Sequence, residues 1–166
     1  MSGAGRGKLA GDVPDPRRAA RLLLLPLLLL LIAAACRADP PAVLDTLLGA
    51  RRTIPLEELI ASAALADGQD SRAVEIGRDA HTSHHVVGLR SGESLHRHDH
   101  HDLLVVVLRG HGRMRLGGDT REVGEGSIVY VPRGSVHAFT NASPEPAYAY
   151  TVYAPPFDGN DRAPVE

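Results

Sequence analysis

The sequence predicts an all-β domain, an antiparallel sandwich or barrel, preceded by short helices. Three observations predict it. From Arg72 onward, short apolar runs at 73–76, 85–89, 103–108, 114–116, 127–131, 136–140 and 147–153 alternate with Gly, Asp and Pro. Many short strands at close spacing are the signature of antiparallel β-structure. The glycines of Arg109-Gly110-His111-Gly112 and Leu116-Gly117-Gly118-Asp119 suit hairpin turns. The chain has no tryptophan and only two phenylalanines, so its core is built from Val, Leu and Ile.

Composition narrows the function classes. Apolar residues make up 43% and charged residues 23%, as in an ordinary globular protein rather than a disordered one. The net charge of −2 hides a split: residues 1–36 carry five Arg/Lys against two Asp, and residues 37–166 carry thirteen Arg against eighteen acidic residues. A mildly acidic main domain argues against a nucleic-acid surface. All nine histidines fall between His81 and His137, the first sign of specialised chemistry.

The chain starts with a leader. Arg17, Arg18 and Arg21 precede the leucine-rich run 22–32, which is interrupted by Pro26. A basic stretch followed by about a dozen apolar residues is the pattern of a secretory signal and is short for a membrane span. The run ends Ala33-Ala34-Ala35-Cys36. Small residues followed by a cysteine resemble a bacterial lipoprotein cleavage box, with Ala33 where a leucine is usual. The resemblance implies a signal peptide over 1–36, lipidation at Cys36, a membrane anchor through that lipid and a place in the cell envelope. An ordinary signal peptide cut at Ala-x-Ala, giving a secreted or periplasmic protein, is the alternative. Cys36 is the only cysteine, so no intrachain disulfide forms.

Residues 37–70 read as a linker and short helices. Pro40 and Pro41 favour extended backbone. A short helix is expected over 42–48. A better one is expected over 56–65, with Glu57 and Glu58 in its first turn and Leu56, Ile60 and Ala63 on one face. The barrel follows over 71–155. Its run 103–108 is apolar at every position, which predicts a strand buried on both faces. One face looks into the barrel; the other meets the helices or a second subunit, so a homodimer is a candidate state. Residues 156–166 form a C-terminal tail.

Two segments carry the chemistry. In the first, His96 and His98 are two apart and so face the same side of a strand. A turn over 99–101 can return Asp102 to them. Two imidazoles and a carboxylate suit a divalent transition metal. The second runs Gly126-Ser-Ile-Val-Tyr-Val-Pro132-Arg-Gly134-Ser-Val-His137-Ala-Phe-Thr-Asn141. Pro132 and Gly134 make a turn between two strands, and His137 enters the next strand facing inward. Phe139, two residues on, shares that face as an apolar wall.

This second segment resembles the second motif of the cupin family at every defining position: glycine, five residues, proline, one residue, glycine, two residues, histidine, three residues, asparagine. The first segment resembles the first cupin motif with Asp102 in place of glutamate, eight positions before Gly110 rather than seven, which calls for a one-residue bulge after Asp102. The other register uses His98 and His100 and puts Leu103 where the carboxylate belongs; the first is preferred because it keeps a carboxylate. The resemblance implies a small double-stranded β-helix, or jelly-roll barrel. It also implies one divalent transition metal (Fe, Mn, Zn, Ni or Cu) held by His96, His98, Asp102 and His137, with room for a small-molecule ligand.

Other side chains have lesser expectations. His100 and His101 belong to the turn, His85 to packing, and His111 to an exposed Gly-His-Gly turn. Tyr148 and Tyr150 share one face of the last strand, as core or as cavity mouth. Glu93, Tyr130 and the mouth tyrosines are the available acid–base groups. The family spans dioxygenases, sugar isomerases, decarboxylases and non-catalytic binders. The expected function is therefore a lipid-anchored or exported metal-binding protein with a small-molecule ligand. The alternatives are a mononuclear metal-dependent oxygenase, that is, a dioxygenase-like oxidoreductase, or a non-catalytic sugar-type binding or sensing module.

Overall fold

The computed structural model describes residues 41–45 and 52–165. The leader 1–36 with Cys36, the first linker residues and positions 46–48 of the first expected helix lie outside the described residues.

Within 41–45 the expected helix gives way to a strand. β1 (Ala42–Asp45) pairs antiparallel with β2 (Arg52–Pro55), from Ala42 opposite Pro55 to Asp45 opposite Arg52. A seven-residue helix is marginal on its own, and the extended Thr53–Pro55 backbone offers a ladder of hydrogen bonds instead. The second helix is present as α1 (Leu56–Ser62). Pro55 precedes its first turn, and Glu57 and Glu58 lie within it, where the helix dipole favours acids. It ends earlier than expected, with Ala63 N–H donating to Ile60 C=O at 3.1 Å.

Ten strands build the domain. They are β3 (Ser71–Arg78), β4 (Ser83–Leu89), β5 (Gly92–Arg97), β6 (Asp102–Arg109), β7 (His111–Leu116), β8 (Asp119–Gly124), β9 (Ile128–Val131), β10 (His137–Asn141), β11 (Ala147–Ala154) and β12 (Ala163–Pro164). Two five-stranded antiparallel sheets result, in the orders β12-β5-β10-β7-β8 and β3-β4-β11-β6-β9. This is the expected double-stranded β-helix, with one short helix among the described residues.

Leu116 pairs with Asp119 across Gly117 (φ 58°), so Gly117-Gly118 is the hairpin turn foreseen. Arg109-Gly110-His111 is not a hairpin. Gly110 (φ 88°) turns the chain out of one sheet and into the other. A left-handed residue here redirects the strand rather than folding it back on itself. Pro132-Arg133-Gly134 makes the same kind of crossing, from β9 to β10. The extra residue in β6 is taken up at Leu108, not next to Asp102: Val107 faces Ala149 and Arg109 faces Tyr148 on β11.

Burial follows the alternation of the strands. Leu103, Met114 and Val131 form one cluster, joined by Val105, Val129, Phe139 and Tyr153. On the opposite face of the second sheet, Leu59 and Ala63 cover Val86, with Leu108, Tyr148 and Tyr150 against them. The outer face of the 103–108 strand is thus covered by α1 at Leu108. Farther along, Leu104 and Val106 are only half-buried beside the exposed Ile128 and Tyr130 of β9.

Candidate metal centre

The site is built where β5 and β10 meet. His137 opens β10 and lies directly opposite His96 near the end of β5. His98 follows just past the strand. Phe139 pairs with Glu93, so β5 spends three residues where β10 spends two. That bulge breaks the alternation and turns Glu93 onto the same face as His96. Gly92 starts β5 at φ 126°, and any Cβ there would lie 2.1 Å from Phe139 C=O, so only glycine fits.

His96, His98 and His137 are 1%, 3% and 2% exposed. Each offers a ring nitrogen, and the three atoms lie within 4.8 Å of one another. Ring centroids are 4.2 Å apart for His96–His137, 5.1 Å for His96–His98 and 5.3 Å for His98–His137. Nδ1 of each ring meets a backbone carbonyl: Ser94 at 2.8 Å for His96, Ser135 at 3.0 Å for His137, and Asp161 at short range for His98. A carbonyl can only accept, so Nδ1 carries the proton and Nε2 presents a lone pair. The Arg162 guanidinium reaches His96 Nδ1 at 3.5 Å, the limit of bonding. The 2.8 Å carbonyl bond decides that tautomer, because a guanidinium has no acceptor to offer.

Burial drives the His96 and His137 pKa values down to about 4, against the carbonyl bonds that favour the charged form; Arg162 and His98 add repulsion at His96, and His96 and His98 at His137. Both rings are therefore neutral near pH 7, as metal ligation needs. His137 Nε2 is buried and has no hydrogen-bond partner among the described residues. Three buried imidazoles with Nδ1 tied to carbonyls, the His137 Nε2 orphaned, fit a divalent transition metal.

Asp102 is not brought to this cluster. Its carboxylate accepts from the Arg133 backbone N–H at 2.9 Å and from the guanidinium at 2.8 and 3.2 Å. Those bonds hold its pKa down to about 2. The acid that does approach the histidines is Glu93, with Oε2 4.0 Å from His96 Nε2. His100 is exposed in the turn, outside the cluster, which leaves the pair His96 and His98 as the register.

Sequence reasoning missed Asp161. It is buried and accepts hydrogen bonds from Asp99 and His100 N–H at 2.8 Å each and from His101 Nδ1 at 2.5 Å. Burial would raise its pKa, but these bonds outweigh that and hold it far below the usual carboxylate range. His101 Nε2 faces Pro156 C=O at 3.2 Å, so both its nitrogens are engaged and neither is left for a metal. No local pattern announced Asp161, because its partners lie some sixty residues upstream in the chain. His85 is buried, bonds Ser83 Oγ at 3.0 Å and packs against Tyr153 and Phe157.

Beside the histidines the barrel holds a partly open cavity of about 60 Å³. Its walls are mostly aliphatic, including Val87, Leu89, Val107, Met114 and Ala149, with Phe139 among them as expected. Glu93, Thr151, Tyr148 and Tyr153 also line it. Desolvation raises the Tyr153 phenol above its ordinary pKa, so it stays protonated.

Comparison with known proteins agrees with this architecture. The family described as a cupin domain matches residues 81–153. An uncharacterised protein of Aquifex aeolicus is 30% identical over 98 residues, covering 59% of this chain and 80% of that protein. An uncharacterised protein of Streptomyces coelicolor is 31% identical over 102 residues, covering 61% of this chain and 93% of that protein. Among solved structures, a conserved protein with a double-stranded β-helix domain from Klebsiella pneumoniae superposes with a TM-score of 0.56 at 24% identity, covering 69% of this chain and 97% of that one.

Proposed function

Since this chain belongs to the cupin family, we propose that it is a metal-binding member with a small-molecule ligand in the barrel, exported and held at the cell envelope through a lipid on Cys36. One observation carries the metal reading: three buried imidazoles have Nδ1 tied to backbone carbonyls, and His137 Nε2 is left without a partner. His96, His98 and His137 would hold the ion. Bound there, it supplies a Lewis acid with positions open to ligand or water. The chain's own residues do the rest: the carbonyls orient the rings, and the aliphatic walls give the adjoining cavity a mostly apolar lining.

The test is elemental analysis of full-length protein purified without chelator or nickel resin, followed by melting with and without chelator. About one divalent ion per chain and a Tm lowered by chelation support the reading. Metal-free protein whose Tm is unmoved by iron, manganese, zinc, nickel or copper would refute it.

An oxygenase is the second reading. It is favoured by a mostly aliphatic cavity next to a three-histidine corner, which would let an apolar substrate and O₂ meet at a redox-active metal. Iron or copper as the resident ion favours it, and zinc does not. The apolar face around Ile128 and Tyr130 supports a homodimer, the same expectation that the apolar 103–108 strand raised.

A further inference from the structure

The carboxylates around the three imidazoles differ in what already holds them. Asp102 is bound by Arg133, and Asp161 by His101 and two backbone N–H groups. Glu93 is turned inward by the β5 bulge opposite Phe139, and no Arg or Lys shares the cavity wall with it among the described residues. Its only ionic contact among those residues is His96, with Oε2 4.0 Å from Nε2. His96 Nδ1 donates to the Ser94 carbonyl, so Nε2 of the neutral ring bears a lone pair. A carboxylate oxygen also bears only lone pairs, and two acceptors this close repel unless a cation lies between them. Metal–ligand bonds of about 2.1 Å let two atoms on one ion lie up to about 4.2 Å apart, so Oε2 and Nε2 are within reach of a shared ion. The Glu93 charge also acts on His137 and Tyr153. Glu93 stands outside the set of histidine atoms that lie within 4.8 Å of one another; its side chain is 33% exposed, and a rotamer change closes the remaining distance. Three neutral imidazoles would leave a divalent ion its whole charge in a mostly apolar setting, and one carboxylate halves it.

We propose that Glu93 is the carboxylate ligand of this centre, joining His96, His98 and His137 as the fourth protein donor in the place that Asp102 was expected to fill. This rests on the reading of the three histidines as a metal site and assigns its anionic donor. The acid then comes from ahead of the histidine pair, delivered by a bulge, and not from the strand that follows it.

The experiment uses full-length wild type and the variants Glu93→Gln, Glu93→Asp and Asp102→Asn. Each is titrated with zinc against a chelator, and with cobalt(II) while its visible absorption is read. Glu93→Gln is expected to lose at least about 100-fold in zinc affinity, more than the loss of an orienting neighbour brings. Its cobalt bands shift, because one donor has changed. Glu93→Asp keeps a carboxylate with a shorter reach and falls between Glu93→Gln and wild type. Asp102→Asn matches wild type in both readings. In EDTA the Tm of Glu93→Gln stays at or above the wild-type value, since an amide can donate to the His96 lone pair where a carboxylate cannot. Infrared difference spectra of wild type show a carboxylate stretch that shifts when zinc binds, a reading that needs no variant. Glu93→Gln with wild-type affinity and unchanged cobalt bands, a lowered Tm of that variant in EDTA, the losses appearing in Asp102→Asn instead, or no carboxylate shift in wild type would overturn the proposal and leave the three-histidine site standing. Wild type that takes up neither zinc nor cobalt would refute the metal reading, and the proposal with it.

Discussion

The backbone carbonyl of Asp161 accepts the Nδ1 proton of His98, across a sequence separation of 63 residues. His96 and His137 each find the equivalent carbonyl two residues back along the chain, at Ser94 and Ser135. Only His98 depends on a distant segment. The Asp161 carboxylate also pins the 99–101 turn through two backbone N–H groups and His101.

The first prediction follows from that dependence. Asp161→Ala frees the turn and loosens His98, so metal affinity should fall about 10- to 100-fold, the usual effect of removing a group that orients a ligand. A competition titration against a chelator measures it. Affinity equal to wild type would mean that the carboxylate has no part in positioning His98.

Single substitutions should separate the ligands from their neighbours. His96→Ala, His98→Ala and His137→Ala should each lose most of the bound metal, while His100→Ala keeps it. Asp102→Asn should keep metal as well, because its carboxylate is occupied with Arg133. Elemental analysis of the five variants reads this directly. Loss of metal in Asp102→Asn with the fold intact would return that carboxylate to the site.

Acid should destabilise the metal-free protein before the carboxylates titrate. His96 and His137 titrate at about 4 in the folded state, against 6.5 when unfolded. Above 6.5 both states are neutral at these rings and the full stability is present. Between 6.5 and 4 the unfolded chain takes up protons that the folded one refuses, so stability falls by up to about 1.4 kcal/mol per pH unit for each proton. Urea midpoints at pH 7.5, 6.5, 5.5 and 4.5 in EDTA should therefore decline, and His137→Gln should flatten the decline. A midpoint constant across that range would contradict the burial argument.

The anchor is tested apart from the barrel. Cys36→Ser should abolish labelling by a radioactive fatty acid and leave an unprocessed precursor in cells. Unchanged labelling would end the lipoprotein reading and leave ordinary export as the alternative.

Much of the fold was legible because alternation and turn residues are local. Gly126 to Asn141, with its resemblance to the second cupin motif, foretold β9, a turn at Pro132–Gly134 and the inward His137. What stayed hidden depends on partners far along the chain. Asp102 looked like a ligand from its distance to His98, but Arg133, 31 residues away, holds it. Glu93 lies an odd number of residues before His96, so strict alternation puts it on the wrong face, and only the bulge against Phe139 corrects this. Residues 42–45 could read as helix because their strand partner at 52–55 has no apolar alternation to signal it.

Strand β12 adds a consequence in time. Ala163 and Pro164 pair with Arg97 and His96, and Asp161 just before them sets the His98 ring. The ribosome makes this chain from the amino end, so His96, His98 and His137 all emerge while the segment that orients His98 is still unmade. A nascent barrel can close its sheets around β10 and β11 and seat His96 and His137, yet the His98 ring lacks its carbonyl partner until residue 161 has been delivered. On the proposed metal reading, ion loading comes at the end of biogenesis, after the tail has docked, and the compartment where the tail docks decides which ions the site meets first.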